Sequence, residues 1–160
     1  NYSAERLEQA LTLGEREDMA AYVALQPHYN LVERDEYEGP LAELCERHGL
    51  ACIPYFGLAR GFLTGKYRPD GDDVDSPRAT GVRESYFNER GFAVLDALDE
   101  IAATHRSSLA AVALAWLGAQ PTVLAPIASA TSPAQLVDLL DSTEVQLAPG
   151  EIERLSAAGA

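Results

Sequence analysis

The sequence predicts an α/β fold in which helices cover a parallel sheet. Three short apolar runs, residues 22–26, 50–55 and 122–127, alternate with helical patterns along the 160 residues. That alternation is typical of βαβ units, and runs that are apolar throughout are typical of strands covered on both faces. A turn-forming, polar or glycine-rich stretch follows each run. Because ligands bind at the carboxyl edge of such sheets, we expect the functional site there.

Helices are predicted between and after the strands from apolar periodicity and capping residues. The first begins after Ser3 and is ended or weakened by Gly14. Gly49 fits the position just past the second helix, and Ser107 or Ser108 caps the fourth. The later predicted helices are 41–48, one containing residues 92–102, 109–117, 133–140 and 149–155. Residues 66–90 are predicted to form a long loop in a single partial domain, 1–160.

Composition excludes several kinds of partner. The net charge of −13 and the scattered arginines argue against a nucleic-acid surface or an anionic membrane. No run reaches the roughly 18 apolar residues of a membrane span. The two cysteines, Cys45 and Cys52, form neither a disulfide framework nor a metal pattern and fit a reducing cytoplasm. The acidic stretch 70–75 lacks the closing glutamate of a calcium loop, so no metal site is predicted.

The segment 53–67 is the most informative part of the chain. An apolar strand ends in Tyr55 and continues into a loop with three glycines, Gly57, Gly61 and Gly65. Glycine lets a backbone approach a ligand closely, and a tyrosine at a strand end offers a flat face to a flat ring. A nucleotide-binding P-loop is excluded, because the spacing is one residue short and the Ser or Thr for magnesium is missing.

Several motifs resemble the second half of the aldo-keto reductases. Gln-Pro-His-Tyr-Asn follows the first strand, and Pro-Tyr-x-x-Leu-Ala-Arg-Gly-x-Leu-Thr-Gly-Lys-Tyr follows the second. Residues 113–117 and then Pro126-Ile127 continue the similarity in the same order. The resemblance implies the C-terminal part of a (β/α)8 TIM barrel, strands six to eight with their helices. It also implies NADPH-dependent reduction of aldehydes or ketones to alcohols.

The resemblance implies three residues around the nicotinamide. Asn1 and Gln26 correspond to the two amides that bind its carboxamide, and Tyr55 corresponds to the tyrosine that stacks on it. An amide suits that task because it both donates and accepts hydrogen bonds. The structural alternatives are a strand-end glutamine satisfied by local backbone and a tyrosine that belongs to the core.

The phosphates of the dinucleotide are assigned by the same resemblance. Residues 58–66 correspond to the loop over the pyrophosphate, in which backbone amides and charged side chains suit phosphate oxygens. The predicted cofactor-binding residues here are Leu58, Arg60, Gly61 and Lys66 of this loop, and Phe56 just before it.

The 2′-phosphate of the adenosine corresponds to the segment after the third strand, at a helix N-terminus. Its predicted residues are Ser129, Thr131 and Gln135. Simple helix capping by Ser132 or Thr131 is the alternative, and both roles can coexist.

Three places depart from the family pattern. Phe56-Gly57 stands where relatives usually carry Ser-Pro, and residues 127–130 replace a Pro-Gly-Ala type of turn. Leu139 stands where an asparagine usually contacts the adenine. Each change removes a polar contact or a glycine, so the departures bear on dinucleotide affinity and not on the fold.

The family's catalytic Asp, Tyr, Lys and His lie in its first half, and no residue here matches them. We therefore assign no catalytic residue, and expect His28, His48 and His105 to be surface or helix-end residues. Three parallel strands leave two unpaired edges, so we expect a truncated chain that pairs with a missing N-terminal half or with itself. A non-catalytic scaffold or assembly subunit remains the alternative to a reductase of small carbonyl compounds.

Overall fold

The computed structural model describes residues 2–71 and 74–160 and contains a parallel sheet, as predicted. Strand β1 (Ala24–Leu25) pairs with β2 (Ala51–Cys52), and Cys52 pairs on its other side with Val123. The regular strands are much shorter than the predicted runs. Pro27, Pro54 and Pro126 lack the N–H that a ladder requires, which limits regular pairing at the strand ends.

The described part of the chain contains seven α-helices. They are α1 (Ala4–Arg16), α2 (Pro40–His48), α3 (Ala79–Tyr86), α4 (Glu89–His105), α5 (Leu109–Gly118), α6 (Pro133–Asp141) and α7 (Pro149–Ala158). A short 3₁₀ segment, Ala59–Thr64, lies between β2 and α3.

Most helix ends lie where the capping residues predicted them. Ser3 and Ser132 accept a hydrogen bond from the first turn of α1 and α6, and Ser108, not Ser107, caps α5. Gly49 ends α2 in the left-handed conformation, with φ of 62°. The prediction that Gly14 ends or weakens the first helix is wrong about the ending, because α1 continues to Arg16.

The predicted loop over residues 66–90 is wrong in its second half. Helix α3 forms there because Val82 and Tyr86, four residues apart, are both buried. The Tyr86 ring lies 5.4 Å from the Phe62 ring, so α3 packs on the 3₁₀ segment. Of the acidic stretch 70–75, Asp72 and Asp73 lie outside the described residues.

Helices α4, α5 and α7 form one densely buried part of the core, which we call the helical body. Helix α5 is apolar all round and is buried on nearly every side, as predicted. Trp116 of α5 is fully buried, and its Nε1 donates to Ser156 Oγ of α7 at 3.0 Å. Arg34 binds Glu38 through two nitrogens and also donates to the Ser156 carbonyl oxygen. The loop after β1 is thereby attached to the C-terminal helix.

Large apolar side chains remain exposed outside the helical body. Those around the sheet and on α6 form the exposed apolar set: Val23, Leu124, Leu136, Val137 and Leu140, at 77%, 73%, 50%, 56% and 60% exposure. Helix α6 lies against α5 but has no buried residue. Within residues 2–71 and 74–160, no helix is both long and apolar enough to cross a membrane.

Candidate functional site

The predicted site segments meet at the carboxyl edge of the sheet. Tyr55 N donates to Pro27 O at 3.0 Å, which joins the loop after β1 to the loop after β2. Ile127 N donates to Pro54 O at 2.8 Å, which joins the third segment to the same edge. Three loops distant in sequence therefore form one continuous surface.

Tyr55 is part of an aromatic cluster with His28 and Phe56. Its ring is stacked on the His28 ring, with centroids 5.2 Å apart and planes inclined by 19°. Phe56 meets both rings edge-on, at 5.1 Å from Tyr55 and 5.5 Å from His28. Tyr55 is partly exposed and does not belong to the buried core. The alternative that Tyr55 is a core tyrosine is therefore wrong.

His28 differs from the surface residue that the sequence predicted. It is half-buried beneath Tyr55, and its Nε2 is buried without a hydrogen-bond partner among the described residues. The signal was its position two residues after a strand end. His48 and His105 are the last residues of α2 and α4, as predicted, and His105 also binds Glu151 at 2.9 Å. No group of His, Cys, Asp and Glu in the described ranges could hold a metal ion.

The backbone of the glycine loop turns sharply through left-handed conformations. Three residues other than glycine have positive φ: Phe56 at 55°, Ala59 at 48° and Arg60 at 59°. Gly61 and Gly65 follow at 95° and 77°. Each L-residue in this region costs about 1 kcal/mol or more, and such strain concentrates at functional sites.

Packing explains two of the three glycines that the sequence associated with ligand approach. A Cβ at Gly57 would lie 3.2 Å from Leu114 and from Leu117, and a Cβ at Gly65 would lie 2.7 Å from Leu109. Gly61 instead faces the Lys66 side chain, which a Cβ would meet at 3.3 Å. The loop is therefore fixed against α5 at both ends, with Gly61 beside its lysine.

Two cations of this loop lack acidic partners. Arg60 lies 5.4 Å from the centre of the Phe56 ring, and Lys66 Nζ lies 5.2 Å from that of Tyr67. Neither forms an ion pair with a carboxylate of the described residues. Burial and Glu33 raise the pKa of the Tyr86 hydroxyl to about 12, although the Arg60 charge opposes this.

Asn30 is a site residue that sequence reasoning missed. It is fully buried, its Nδ2 donates to the Phe56 carbonyl at 2.9 Å, and its Oδ1 accepts from the amides of Val32 and Glu33. The only sequence signal was its place at the end of Gln-Pro-His-Tyr-Asn, directly after β1.

The segment after the third strand caps α6. Ser132 Oγ accepts from Gln135 N at 3.3 Å, while the Thr131 amide and hydroxyl both donate to Gln135 Oε1, at 2.8 and 3.0 Å. The capping alternative is thus confirmed for Ser132. Ser129 is exposed beside this cap.

The two amides predicted to bind the carboxamide are Asn1 and Gln26. Asn1 lies outside the described residues. Gln26 is exposed at the end of β1, and its side chain has no hydrogen-bond partner among the residues the structure describes. Local backbone therefore does not satisfy it. Leu58 is partly buried, and its carbonyl accepts from Gly61 N at 2.8 Å.

Comparison with known proteins identifies the family. The sequence model of the "Aldo/keto reductase family" matches residues 1–160. The chain belongs to the aldo/keto reductase family. Family members are oxidoreductases built on a (β/α)8 barrel, and they generally use NADP(H) and act on small carbonyl compounds.

Named relatives include both reductases and channel subunits. A "Probable voltage-gated potassium channel subunit beta" of Oryza sativa subsp. japonica is 30% identical over 165 residues, 98% of this chain and 49% of that protein. "L-glyceraldehyde 3-phosphate reductase" of Escherichia coli K12 is 31% identical over 142 residues, 85% and 40% respectively. An "Aldo-keto reductase" of Babesia bovis is 32% identical over 130 residues, 78% and 46%. The chain spans about half the length of the curated relatives it matches.

The residues at the carboxyl edge fit such a cofactor. The partly exposed Tyr55 offers an aromatic surface, and Gln26 offers an unpaired amide. Arg60 and Lys66 supply positive charge without internal neutralisation. His28 Nε2, next to Tyr55, is buried without a partner among the described residues, although buried polar groups ordinarily have one.

Proposed function

We propose that this chain is the cofactor-binding C-terminal half of a barrel that reduces aldehydes or ketones to alcohols with NADPH. The three neighbouring parallel segments around Leu25, Cys52 and Val123 correspond to strands six to eight. The chain's match to about half of each relative supports the assignment to one half of the barrel. A full barrel of this type has about 250 residues.

The single observation that carries the proposal is the surface that joins Tyr55 to Arg60. The aromatic cluster lies directly beside a loop with two cations that no acidic group of the described residues neutralises. A flat ring next to a charged phosphate group is the chemical pattern of a nicotinamide nucleotide, and both kinds of surface are present within a few residues. The bound cofactor supplies the hydride for carbonyl reduction.

Each part of the site has a distinct task in this proposal. Tyr55 presents a ring face to the nicotinamide, while Gln26 and Asn1 orient its carboxamide through hydrogen bonds. Arg60, Lys66 and the backbone around Leu58 and Gly61 hold the pyrophosphate. The segment with Ser129, Thr131 and Gln135 holds the 2′-phosphate at the N-terminus of α6.

Phe56 replaces the usual serine and contributes differently. Its ring is 39% exposed and lies beneath the Arg60 guanidinium. A cation–π contact of this kind contributes about 0.5–1 kcal/mol at exposed sites, so Phe56 orients Arg60 in place of donating a hydroxyl.

Catalysis is assigned to residues outside this chain. No residue here corresponds to the family's acid–base tetrad, and we expect the 160 residues alone to be inactive. The exposed apolar set and the open strand edges fit a first half of the barrel as partner. The free, buried Cys45 and Cys52 agree with the predicted cytoplasmic setting.

NADPH titration of the protein at its natural length tests the proposal. We expect binding with a micromolar dissociation constant, measured by the quenching of protein fluorescence. Arg60→Met should weaken it about tenfold, the loss of one charge-assisted phosphate contact. The matched control is Arg6→Met, an exposed arginine of α1 without a side-chain partner in the described residues, which should change nothing. Turnover of a nitrobenzaldehyde by the isolated 160 residues would contradict the inactivity of this half.

A non-catalytic role is the second candidate, favoured by the relatives named as potassium channel β-subunits. Such a protein would keep the barrel as a scaffold for assembly. The departures at Phe56 and Leu139 agree with a weakened cofactor site. Complete absence of NADPH binding at natural length would favour this role, whereas binding with carbonyl reduction would exclude it.

A further inference from the structure

Asn30 links two loops that are far apart in sequence. It follows β1, and its Nδ2 donates at 2.9 Å to the carbonyl oxygen of Phe56, which follows β2, 26 positions later. Its Oδ1 accepts from Val32 N at 3.0 Å and from Glu33 N at 3.1 Å. Because Oδ1 is held by two amides, the orientation of the side-chain amide is fixed and the donor must face Phe56.

The accepting carbonyl belongs to a strained residue. Phe56 has φ of 55°, a left-handed backbone conformation that residues other than glycine adopt at an energetic cost. Its carbonyl also accepts from Ala59 N at 2.7 Å, which closes the first turn of the glycine loop. The Asn30 bond therefore acts at the peptide where the chain turns from the strand into this loop.

The direction of the Phe56 side chain depends on that turn. In the left-handed conformation, the ring meets His28 and Tyr55 edge-on and lies under Arg60. A relaxed φ at this position would move the ring away from all three. The aromatic wall and the cationic loop are thus held in one relative arrangement by a single peptide.

Asn30 is itself rigidly held. It has no exposed surface, and Arg34, four residues later, is bound to Glu38 and to the α7 backbone. Arg90 of α4 also donates to the Val32 carbonyl oxygen of the same loop. Rotamer freedom is therefore small, and a buried amide that is hydrogen-bonded through both its oxygen and its nitrogen favours one arrangement.

We infer that Asn30 is a positioning residue that fixes the glycine loop and Phe56 for the dinucleotide. The identity of the ligand in this inference rests on the proposed function. The role of Asn30 in the geometry of the loop does not depend on it. Asn30 touches no ligand in this scheme. It acts through the Phe56 peptide, so its loss should weaken cofactor affinity without removing any ligand contact.

Asn30→Asp gives the sharpest test, in the protein at its natural length. The new carboxylate keeps the acceptor for Val32 and Glu33 but places an oxygen against the Phe56 carbonyl. We expect NADPH to bind about tenfold more weakly near pH 8. Burial raises the pKa of such a carboxyl group, so near pH 5.5 its protonated form can donate to Phe56 O, and affinity should return toward that of the wild type.

Two further variants separate positioning from stability. Asn30→Ala should lose affinity at both pH values, because it has no donor to restore. Leu98→Ala, in the fully buried core of α4, should lower the melting temperature without changing the NADPH dissociation constant. If affinity followed melting temperature across all three variants, Asn30 would be only structural and the inference would be wrong.

Hydrogen exchange gives a readout that needs no cofactor. In Asn30→Ala, the amides of residues 56–65 should exchange at least about tenfold faster while those of α5 keep their protection. Unchanged exchange in 56–65 would overturn the inference. Failure of the wild type to bind NADPH would refute the proposed function, and the exchange result would still decide whether Asn30 positions the loop.

Discussion

The helical body and the exposed apolar set contain the same kinds of side chain in opposite surroundings. In the body, Val94, Leu98 and Leu117 have no exposed surface. In the set, Val23 is 77% exposed and Leu140 is 60% exposed. Burial stabilises by roughly 25 cal/mol per Å² of apolar surface, so the side chains of the body gain much more of this contribution than those of the set. The side chains of the body are covered within the described residues, whereas the set requires a further surface.

The largest effect is expected at Trp116, the largest fully buried side chain of the body. Trp116→Ala removes a fully buried ring that contacts Tyr29, lies under Arg34 and donates to Ser156. We expect a loss of about 3–5 kcal/mol in the free energy of unfolding, measured by urea denaturation. Ser156→Ala is the control, since it keeps the ring and should cost only about 1 kcal/mol. Equal losses would mean that the hydrogen bond, not packing, dominates.

Two glycines, one inside and one outside the helical body, give a test with an effect of intermediate size. A Cβ at Gly91 in α4 would lie 2.0 Å from the Tyr86 carbonyl oxygen, so Gly91→Ala should destabilise by about 1–3 kcal/mol. At Gly14 in α1 a Cβ would meet nothing within 4 Å. Gly14→Ala should therefore stabilise by about 0.5–1 kcal/mol. Thermal unfolding of both variants checks the opposite signs, and a shared sign would contradict the packing around Gly91.

Much of the fold was predictable because its signals are local. The apolar sequence of α5, the caps at Ser3 and Ser132, and Gly49 each act within one turn of helix. Helix α3 was missed because its pattern consists mainly of Val82 and Tyr86 beside a stretch rich in Asp, Gly and Pro. Packing against Phe62, not local propensity, stabilises it.

The candidate site was predictable in place but not in construction. Tyr55 and Gln26 were expected at the carboxyl edge because each ends a predicted strand, and the structure pairs β1 with β2. The stacking of His28 on Tyr55 and the bond from Asn30 to Phe56 depend on contacts between separate loops. Sequence spacing carries no information about such contacts, and a motif position alone did not identify them.

A smaller effect is expected at the acidic end of the pH range, where Glu151 of α7 binds His105 of α4 within the helical body. The Ala148 amide, followed by His105, lowers the pKa of the Glu151 carboxyl group. A lowered folded-state pKa means that the stabilisation is full above the unfolded value, about 4.3, and is lost as pH falls through the folded value. Wild-type melting temperature should thus fall more steeply below about pH 4.5 than that of Glu151→Gln. Exposed Glu153, as Glu153→Gln, is the control and should keep the wild-type slope.

The smallest effect on the isolated chain is expected in the exposed apolar set, and there the context decides the result. Leu140→Lys in the 160 residues alone should change the free energy of unfolding by less than about 0.5 kcal/mol, because the side chain has little to lose. It should also reduce self-association in sedimentation velocity, since a charge opposes apolar contact between copies.

In the protein at its natural length, Leu140→Lys should destabilise if the exposed apolar set is covered by the first half of the barrel. Ala157→Lys, at an exposed position of α7, is the control that should behave alike in both contexts. Equal behaviour of Leu140→Lys in the two contexts would mean that α6 faces solvent in the whole protein, and the partner surface would then have to be sought at the strand edges around Val23 and Leu124.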